Sequence, residues 1–308
     1  MNVSFIIVTY NNEDTIYKCI SSIKKQDDIG KSEIIVVDNS SKDGTINELN
    51  KFEGLKVIES KSNLGFGNGN NLAFKKALGK YIVLVNPDAY LNEKSTKELL
   101  KTFVLKQNVG IVGGNLKGEN YIQPFPSFTG IWNIYRNKLK LVSGNNPIQE
   151  VPWVCGAYCA YERKTLLRFG GFDTRFFLYY EETDLCKSMH EKGFKTYINR
   201  KAIAEHEGGG SAKKEKEGID TNNKMIPSFK YKAQLLFYRK HYGLLYTLIC
   251  VILESFIKVI TVIKRIRTHS DERRIQKKEA INDLKELIKA MCKTRLGMSS
   301  PKHPWSIQ

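Results

Sequence analysis

Along the first 115 positions, short apolar runs end in polar residues, and stretches with helical spacing separate them. The run "VSFIIVTY" (3–10) predicts a fully buried strand, and 13–26 carries Ile16, Cys19, Ile20 and Ile23 on one helical face. Further strands are predicted at 32–41, 55–60, 81–86 and 109–114. Predicted helices at 44–52, 69–78 and 93–106 lie between them. This alternation predicts an α/β fold with a mostly parallel, Rossmann-like central sheet flanked by helices. Such sheets bind ligands beyond the carboxyl ends of their strands. Four polar strand ends are therefore expected to converge on one rim: Thr9-Tyr10-Asn11, Asp38-Asn39-Ser40-Ser41, Asn63 to Gly67, and Asn86-Pro87-Asp88.

Beyond residue 115 the pattern loosens. Residues 117–150 read as a loop-rich insertion with Pro124, Pro126 and Pro147, and 151–166 as a strand leading into a helix. Residues 170–193 read as a turn, an aromatic run and a helix that starts near Thr183. A glycine-rich loop is expected at 204–214, and from 227 onward the chain turns helical, basic and apolar. No internal repeat is visible.

Composition changes this picture only at the tail. The chain has 308 residues, 41% hydrophobic and 26% charged, as expected of a folded protein with a substantial core. The start reads as strand and not as a signal peptide. The six cysteines form no CxxC pair and show no ligand-like spacing with histidine, so reduced thiols in a cytosolic compartment are expected. Of the net charge of +17, residues 211–308 hold 21 Lys/Arg against 9 Asp/Glu. A basic tail favours a polyanion, either nucleic acid or an anionic membrane face.

The strand ends hold the candidate chemistry. Asp38 is placed to accept hydrogen bonds from a ribose or base edge, or else to make an Asx-turn or N-cap. Asp88, after Asn86-Pro87, reads either as a turn residue or as the carboxylate of a divalent cation beside a diphosphate. Glu181, Glu182 and Asp184 suit the first turn of a helix. Three crowded carboxylates after an aromatic run also suit a general base, because repulsion and desolvation raise a carboxyl pKa. His206, between Glu205 and Glu207 and before Gly208, reads as a metal ligand on a lid or as a structural histidine.

Taken in order, "VSFIIVTYNNEDTIYKCISSI", "IIVVDNSSKDGT", "SNLGFGNGNN", "VLVNPDAYL", "WVCGAYCAYERKTLLRFGGFDTRFFLYYEETDLCKSMHEKGF" and "AEHEGGGS" closely resemble family 2 glycosyltransferases of the GT-A fold. The likeness covers about residues 3–212 and is greatest to the bacterial rhamnosyltransferase-like branch. It implies that Thr9, Tyr10, Asn11, Asp38, Asn63, Gly65, Phe66, Asn86, Asp88 and Gly156 bind a nucleotide sugar. Asp88 matches the last acid of the family's Asp-x-Asp metal motif, whose first acid is Asn86 here, and His206 matches the histidine that completes the metal site. The implied cofactor is Mg2+ or Mn2+. Glu182 stands where the family's Glu-Asp-x-Asp pattern places its base, one methylene longer, with Asp184 as the fallback and Glu181 beside them. Trp153 and Ala157, flanking Gly156, would face the acceptor.

The resemblance implies an inverting, metal-dependent transfer of a sugar in cell-surface polysaccharide synthesis. The acceptor would be a glycan or polyprenyl-diphosphate-linked hydroxyl. The donor expected first is dTDP-L-rhamnose, with UDP-hexose or UDP-galactofuranose as the alternative. Residues 1–226 would form the catalytic domain (1–115 for the donor, 116–226 for the acceptor), and 227–308 a membrane-associating region. The stretch 243–263 is long enough to span a bilayer, but Glu254 and Lys258 interrupt it. An interfacial helix or hairpin on the inner face of the cell membrane is the preferred reading, over a span or a buried oligomer helix. A homo-oligomer is compatible with this. The rivals are a non-catalytic nucleotide-binding relative and a nucleic-acid-binding protein, the latter disfavoured because no stacking platform or known module is visible.

Overall fold

The computed structural model describes residues 2–26, 29–117, 121–122, 124–136, 140–141, 146–208, 227–265 and 271–298. The chain forms two compact units, one of residues 1–123, 141–177 and 181–224, the other of 124–140, 178–180 and 225–308.

The first unit begins with β1 (Val3–Thr9), α1 (Ile16–Lys24), β2 (Ser32–Asp38), α2 (Thr45–Leu49), β3 (Leu55–Glu59), α3 (Gly65–Phe74) and β4 (Tyr81–Val85). The pairs β1–β2, β2–β3 and β1–β4 are all parallel. All seven residues of β1 are buried, as helices on both faces require. Phe5, Ile7, Ile34, Val36, Val83 and Val85 point to one side and pack with Ile16, Cys19, Ile20 and Ile23 of α1. Period-two alternation sends Ile6, Ile35, Ile82 and Leu84 to the other face.

The chain continues through β5 (Ala89–Leu91), α4 (Ser95–Leu105), β6 (Val109–Leu116) and the two-residue β7 (Tyr121–Ile122). Later come α5 (Phe128–Tyr135), β8 (Lys140–Leu141), β9 (Ile148–Val151), β10 (Tyr158–Glu162), α6 (Arg163–Arg168), α7 (Glu181–His190) and β11 (Lys195–His206). The sheet runs β3-β2-β1-β4-β10-β6-β11-β5, with β9 also on β11. It is mixed, because β10 runs antiparallel to both β4 and β6, while β5 and β9 run antiparallel to β11. The order reverses between β1 and β4, and such a switch point opens a crevice at the carboxyl ends.

Four local differences from the sequence expectation affect the rim. Helix α3 starts at Gly65, inside the stretch expected as a loop. Helix α7 starts at Glu181, two residues before Thr183. Strand β11 runs through His206, so the histidine sits at a strand end and not within a loop. Residues 209–214 of that expected loop lie outside the described residues. The three-residue strand β5, unforeseen, follows Asp88 directly and pairs Ala89 with His206.

The second unit contains α5, α8 (Pro227–Ile263) and α9 (Asp271–Thr294). Helix α8 is broken at Gly243, which stands at φ 81° and ψ −177°. That conformation is open to glycine and strained for other residues. Tyr231, Leu235, Val251, Leu287 and Ala290 form the small core of this unit. By length and composition α8 is apolar enough to cross a membrane.

Candidate active site

The rim is built by turns that end the strands. Thr9 and Asp38 are register partners, and the Asn39 N–H donates to the Thr9 carbonyl at 2.8 Å. Asp38 is buried, and its carboxylate accepts the Ser41 N–H at 3.0 Å and the Ser41 hydroxyl. The Asp38 side chain thus closes a turn onto Ser41, three residues on, rather than the two-residue Asx-turn or the N-cap of α2. Asn11 takes a positive φ of 54°; its N–H donates to Ser41 Oγ at 2.9 Å and its Oδ1 accepts the Lys42 N–H at 2.8 Å. Asn12, which sequence reasoning passed over, is buried and its Oδ1 accepts the Tyr10 N–H at 3.0 Å and the Thr9 hydroxyl at 3.1 Å. Its signal was the doubled Asn at a strand end.

Next along the rim, Asn39 Nδ2 donates to the Gly65 carbonyl at 3.1 Å. Asn63 Oδ1 accepts the Gly65 N–H at 2.9 Å, and the Phe66 N–H donates to the Phe177 carbonyl at 2.7 Å. Gly65 has φ +78°, and a Cβ there would lie 2.4 Å from the Phe177 carbonyl oxygen. A Cβ on Gly67 would lie 3.1 Å from Glu181 Cγ. The glycine spacing of "GFGNG" is therefore how α3 lets the aromatic segment and α7 come close.

Helix α7 delivers the acids. Glu182 Oε1 accepts the Gly156 N–H at 2.9 Å. Burial pushes the Glu182 carboxyl pKa up, and the Gly156 N–H partly offsets that. Glu181 is 1% exposed, and one of its carboxyl oxygens has no hydrogen-bond partner. Burial first, then the Glu182 charge, pushes its pKa well above the ordinary carboxylate range, against a hydrogen bond from the Gly67 N–H. Asp184 is buried as well. Tyr179 and Tyr180 both stand at φ 72° immediately before this helix.

Asn86, Ala157, Asp88 and His206 complete the rim. The Asn86 N–H donates to the Ala157 carbonyl at 2.9 Å, joining the end of β4 to the residues that precede β10. The buried thiol of Cys19 donates to the Asn86 carbonyl at 3.3 Å. Asp88, 4% exposed, has Oδ1 3.3 Å from His206 Nε2, and its carbonyl accepts the Glu207 N–H at 3.1 Å. Across different segments of the chain, the structure therefore joins sequence-predicted residues by the contacts of Glu182 with Gly156, Ala157 with Asn86, and Asp88 with His206. Trp153 lies in the segment between β9 and β10, three residues before Gly156.

Among the described residues no group of three or more His, Cys, Asp and Glu side chains could hold a metal ion. The donors in contact are the Asp88 carboxylate and the His206 imidazole; two residues before Asp88, Asn86 Oδ1 is buried with no hydrogen-bond partner. Hard divalent ions that also take phosphate oxygens and water need only one or two protein carboxylates, so this donor set fits Mg2+ or Mn2+.

Comparison with known proteins places the chain. Part of it is similar to the poly(ribitol-phosphate) beta-N-acetylglucosaminyltransferase TarS of Staphylococcus aureus, 32% identical over 125 residues, which is 39% of this chain and 22% of that protein. Another match is the UDP-Glc:alpha-D-GlcNAc-diphosphoundecaprenol beta-1,3-glucosyltransferase WfaP of Escherichia coli. It is 39% identical over 90 residues, 29% of this chain and 36% of that one. The matched stretches thus span between a fifth and two fifths of these curated relatives. Among solved structures, the mannosyltransferase PcManGT of Pyrobaculum calidifontis, in complex with GDP-Man and Mn2+, superposes with a TM-score of 0.59 at 16% identity. That match covers 96% of this chain and 87% of the other, and it gives the fold as GT-A. Residues 4–168, more than half of the chain, match the family model for glycosyl transferase family 2, and the chain belongs to that family.

Proposed function

We propose that the protein transfers a hexosyl group, with inversion, from a nucleotide sugar to a hydroxyl of a glycan or polyprenyl-diphosphate-linked acceptor. The observation that carries this reading is the single rim on which Glu182, Gly156, Ala157, Asn86, Asp88 and His206 are joined by direct contacts. Thr9, Tyr10, Asn11, Asp38 and the Asn63–Phe66 segment would bind the nucleoside. In this reading the turn made by Asp38 and Ser41 shapes the pocket floor.

Glu182 is the base. The Gly156 N–H fixes one carboxyl oxygen, and a carboxylate has lone pairs to spare for the acceptor hydroxyl. The pKa raised by burial makes the Glu182 carboxylate a better proton acceptor than an exposed one. As the acceptor oxygen bonds to the anomeric carbon, its proton passes to Glu182 and the nucleoside diphosphate leaves from the opposite face. Trp153 and Ala157 would hold the acceptor in line, and that positioning supplies much of the rate. Asp88 and His206, with Asn86, would hold Mg2+ or Mn2+, which supplies charge neutralisation for the departing diphosphate.

The donor reading divides. The sequence motifs favour dTDP-L-rhamnose, whereas the name of WfaP specifies UDP-glucose and a diphosphoundecaprenol acceptor, which favours a UDP-hexose here. A lipid-linked acceptor and the apolar helix α8 both support a place at the inner face of the cell membrane. A panel of radiolabelled nucleotide sugars, incubated with Mn2+ and lipid extract, tests the proposal. Transfer from one donor into the lipid fraction supports it; release of free sugar alone from every active donor would make the protein a hydrolase.

A further inference from the structure

The second half of α8 has two unlike faces. Leu245, Ile249, Ile252, Phe256, Val259 and Ile263 are all exposed, Leu245 at 73% and Ile252 at 67%. They recur at steps of four, three, four, three and four, which puts them on one strip of the helix. The strip is about 27 Å long at 1.5 Å rise per residue and contains no polar side chain. Thr247, Cys250, Val251 and Glu254 are buried on the opposite face. There Glu254 accepts a hydrogen bond from Gln234 Nε2 at 3.1 Å, and Lys258 pairs with Asp283 of α9. The two charges that interrupt the apolar sequence thus both point into the protein.

The surroundings of the strip suit a lipid headgroup layer. Helix α5 exposes Phe128, Trp132 and Tyr135. The Phe128 N–H donates to Tyr246 Oη at 3.0 Å, and Tyr246 packs on Tyr242 with ring centroids 4.6 Å apart. Amphipathic aromatics of this kind collect at membrane–water boundaries. Lys264 follows the other end of the strip, and α9 exposes Arg273, Arg274, Lys278, Lys285, Lys289 and Lys293. Residues 227–298 carry sixteen Lys/Arg against six Asp/Glu.

We propose that this face is a monotopic docking surface for an anionic bilayer, with residues 244–263 lying in the membrane plane and the Leu245–Ile263 strip at the acyl boundary. The proposal refines the membrane location given above and is independent of the sugar chemistry. A spanning helix would be apolar all round; this one presents Thr247, Glu254 and Lys258 to α9 and to the first half of α8, whose charged residues a span would drag into hydrocarbon. A nucleic-acid surface would be polar and would not expose six large aliphatic and aromatic side chains in a row. A second copy docked strip to strip would bring two basic helical pairs together.

Flotation of the full-length protein tests this, using vesicles of phosphatidylcholine alone and of phosphatidylcholine with phosphatidylglycerol. The expected result is flotation with the phosphatidylglycerol vesicles, loss by high salt, and at least about a tenfold fall in bound fraction for I252E/F256E. Both side chains are exposed, so circular dichroism and Tm of this variant should match wild type. If it fails to fold, I252S/F256S is used, with a smaller fall in the same direction expected. Alkaline carbonate should release the wild-type protein from native membranes. Flotation of I252E/F256E equal to wild type, or carbonate resistance of the wild type, would overturn the proposal. So would a wild-type dimer that ignores vesicles and becomes monomeric on I252E/F256E. Turnover with a water-soluble acceptor, measured on the same variant, should be unchanged, which keeps a failed docking surface distinct from a failed transferase.

Discussion

Glu182 and Asp184 are two residues apart on α7, which turns them to nearly opposite sides of the helix, and their surroundings differ. Glu182 is fixed by a backbone N–H from the residues preceding β10. Asp184 lies close enough to Arg175 to help hold its guanidinium charged, after the larger contribution of the Asp173 hydrogen bond. Because Glu182 is the acid held at the Gly156 segment, Glu182→Gln should lower kcat/KM by about 10²- to 10⁴-fold, and Asp184→Asn by less, in initial-rate assays. The acid limb of the wild-type pH profile should lie above the usual carboxylate value of about 4.3, because activity needs the ionised base and burial delays ionisation. Glu181 carries a different prediction. Its folded-state pKa is raised, so the folded protein keeps a proton that the unfolded chain loses as pH rises past the ordinary carboxylate value. The resulting destabilisation starts above that value and is complete above the folded pKa. Glu181→Gln should therefore raise Tm at neutral pH, with the gain fading towards pH 4 in thermal melts.

At the scale of elements, β1, β2 and β4 were legible because both faces of each are covered, which leaves unbroken apolar runs ending in polar turns. The start of α3 was not. Asn63 to Gly67 is glycine-rich and reads as a loop, since glycine disfavours helix by about 1 kcal/mol per residue. Contact overrides that preference: Gly65, Gly67 and Gly69 are each approached closely, by Phe177, Glu181 and Val8. Gly65→Ala should cost about 2 kcal/mol from the positive φ alone, more with the contact to Phe177, and lower both Tm and donor affinity. Strand β5 and the extension of β11 through His206 were also hidden. They are pairing partners of each other across 117 residues, and no local periodicity reports such a match. Asp88 and His206 could be named as candidates from the sequence, but their separation of 3.3 Å depends on that pairing.

For the whole molecule, the charge map and the division into units go together. The basic tail belongs to a compact unit that also includes residues 124–140, where the Phe128 N–H meets Tyr246. A chain ending at 226 would take that partner away from α5, whose Phe128, Trp132 and Tyr135 are already exposed, and would split the compact unit. Such a fragment is expected to aggregate in size-exclusion chromatography at concentrations where the full chain is monodisperse with detergent. The apolar stretch of the tail was visible in the sequence from its length. What the sequence could not show is that Glu254 and Lys258 turn inward, which depends on where α9 and the first half of α8 pack.

The central claim, that the rim performs glycosyl transfer with Glu182 as the base, is tested most directly by one assay. Purified wild-type and Glu182→Gln proteins are each given a radiolabelled UDP-hexose or dTDP-L-rhamnose, Mn2+ and a polyprenyl-diphosphate-sugar acceptor, and label in the lipid fraction is followed over time. The account predicts transfer by the wild-type protein and a loss of about 10²-fold or more in Glu182→Gln, with donor binding retained. Wild-type transfer that Glu182→Gln sustains at the same rate would contradict it.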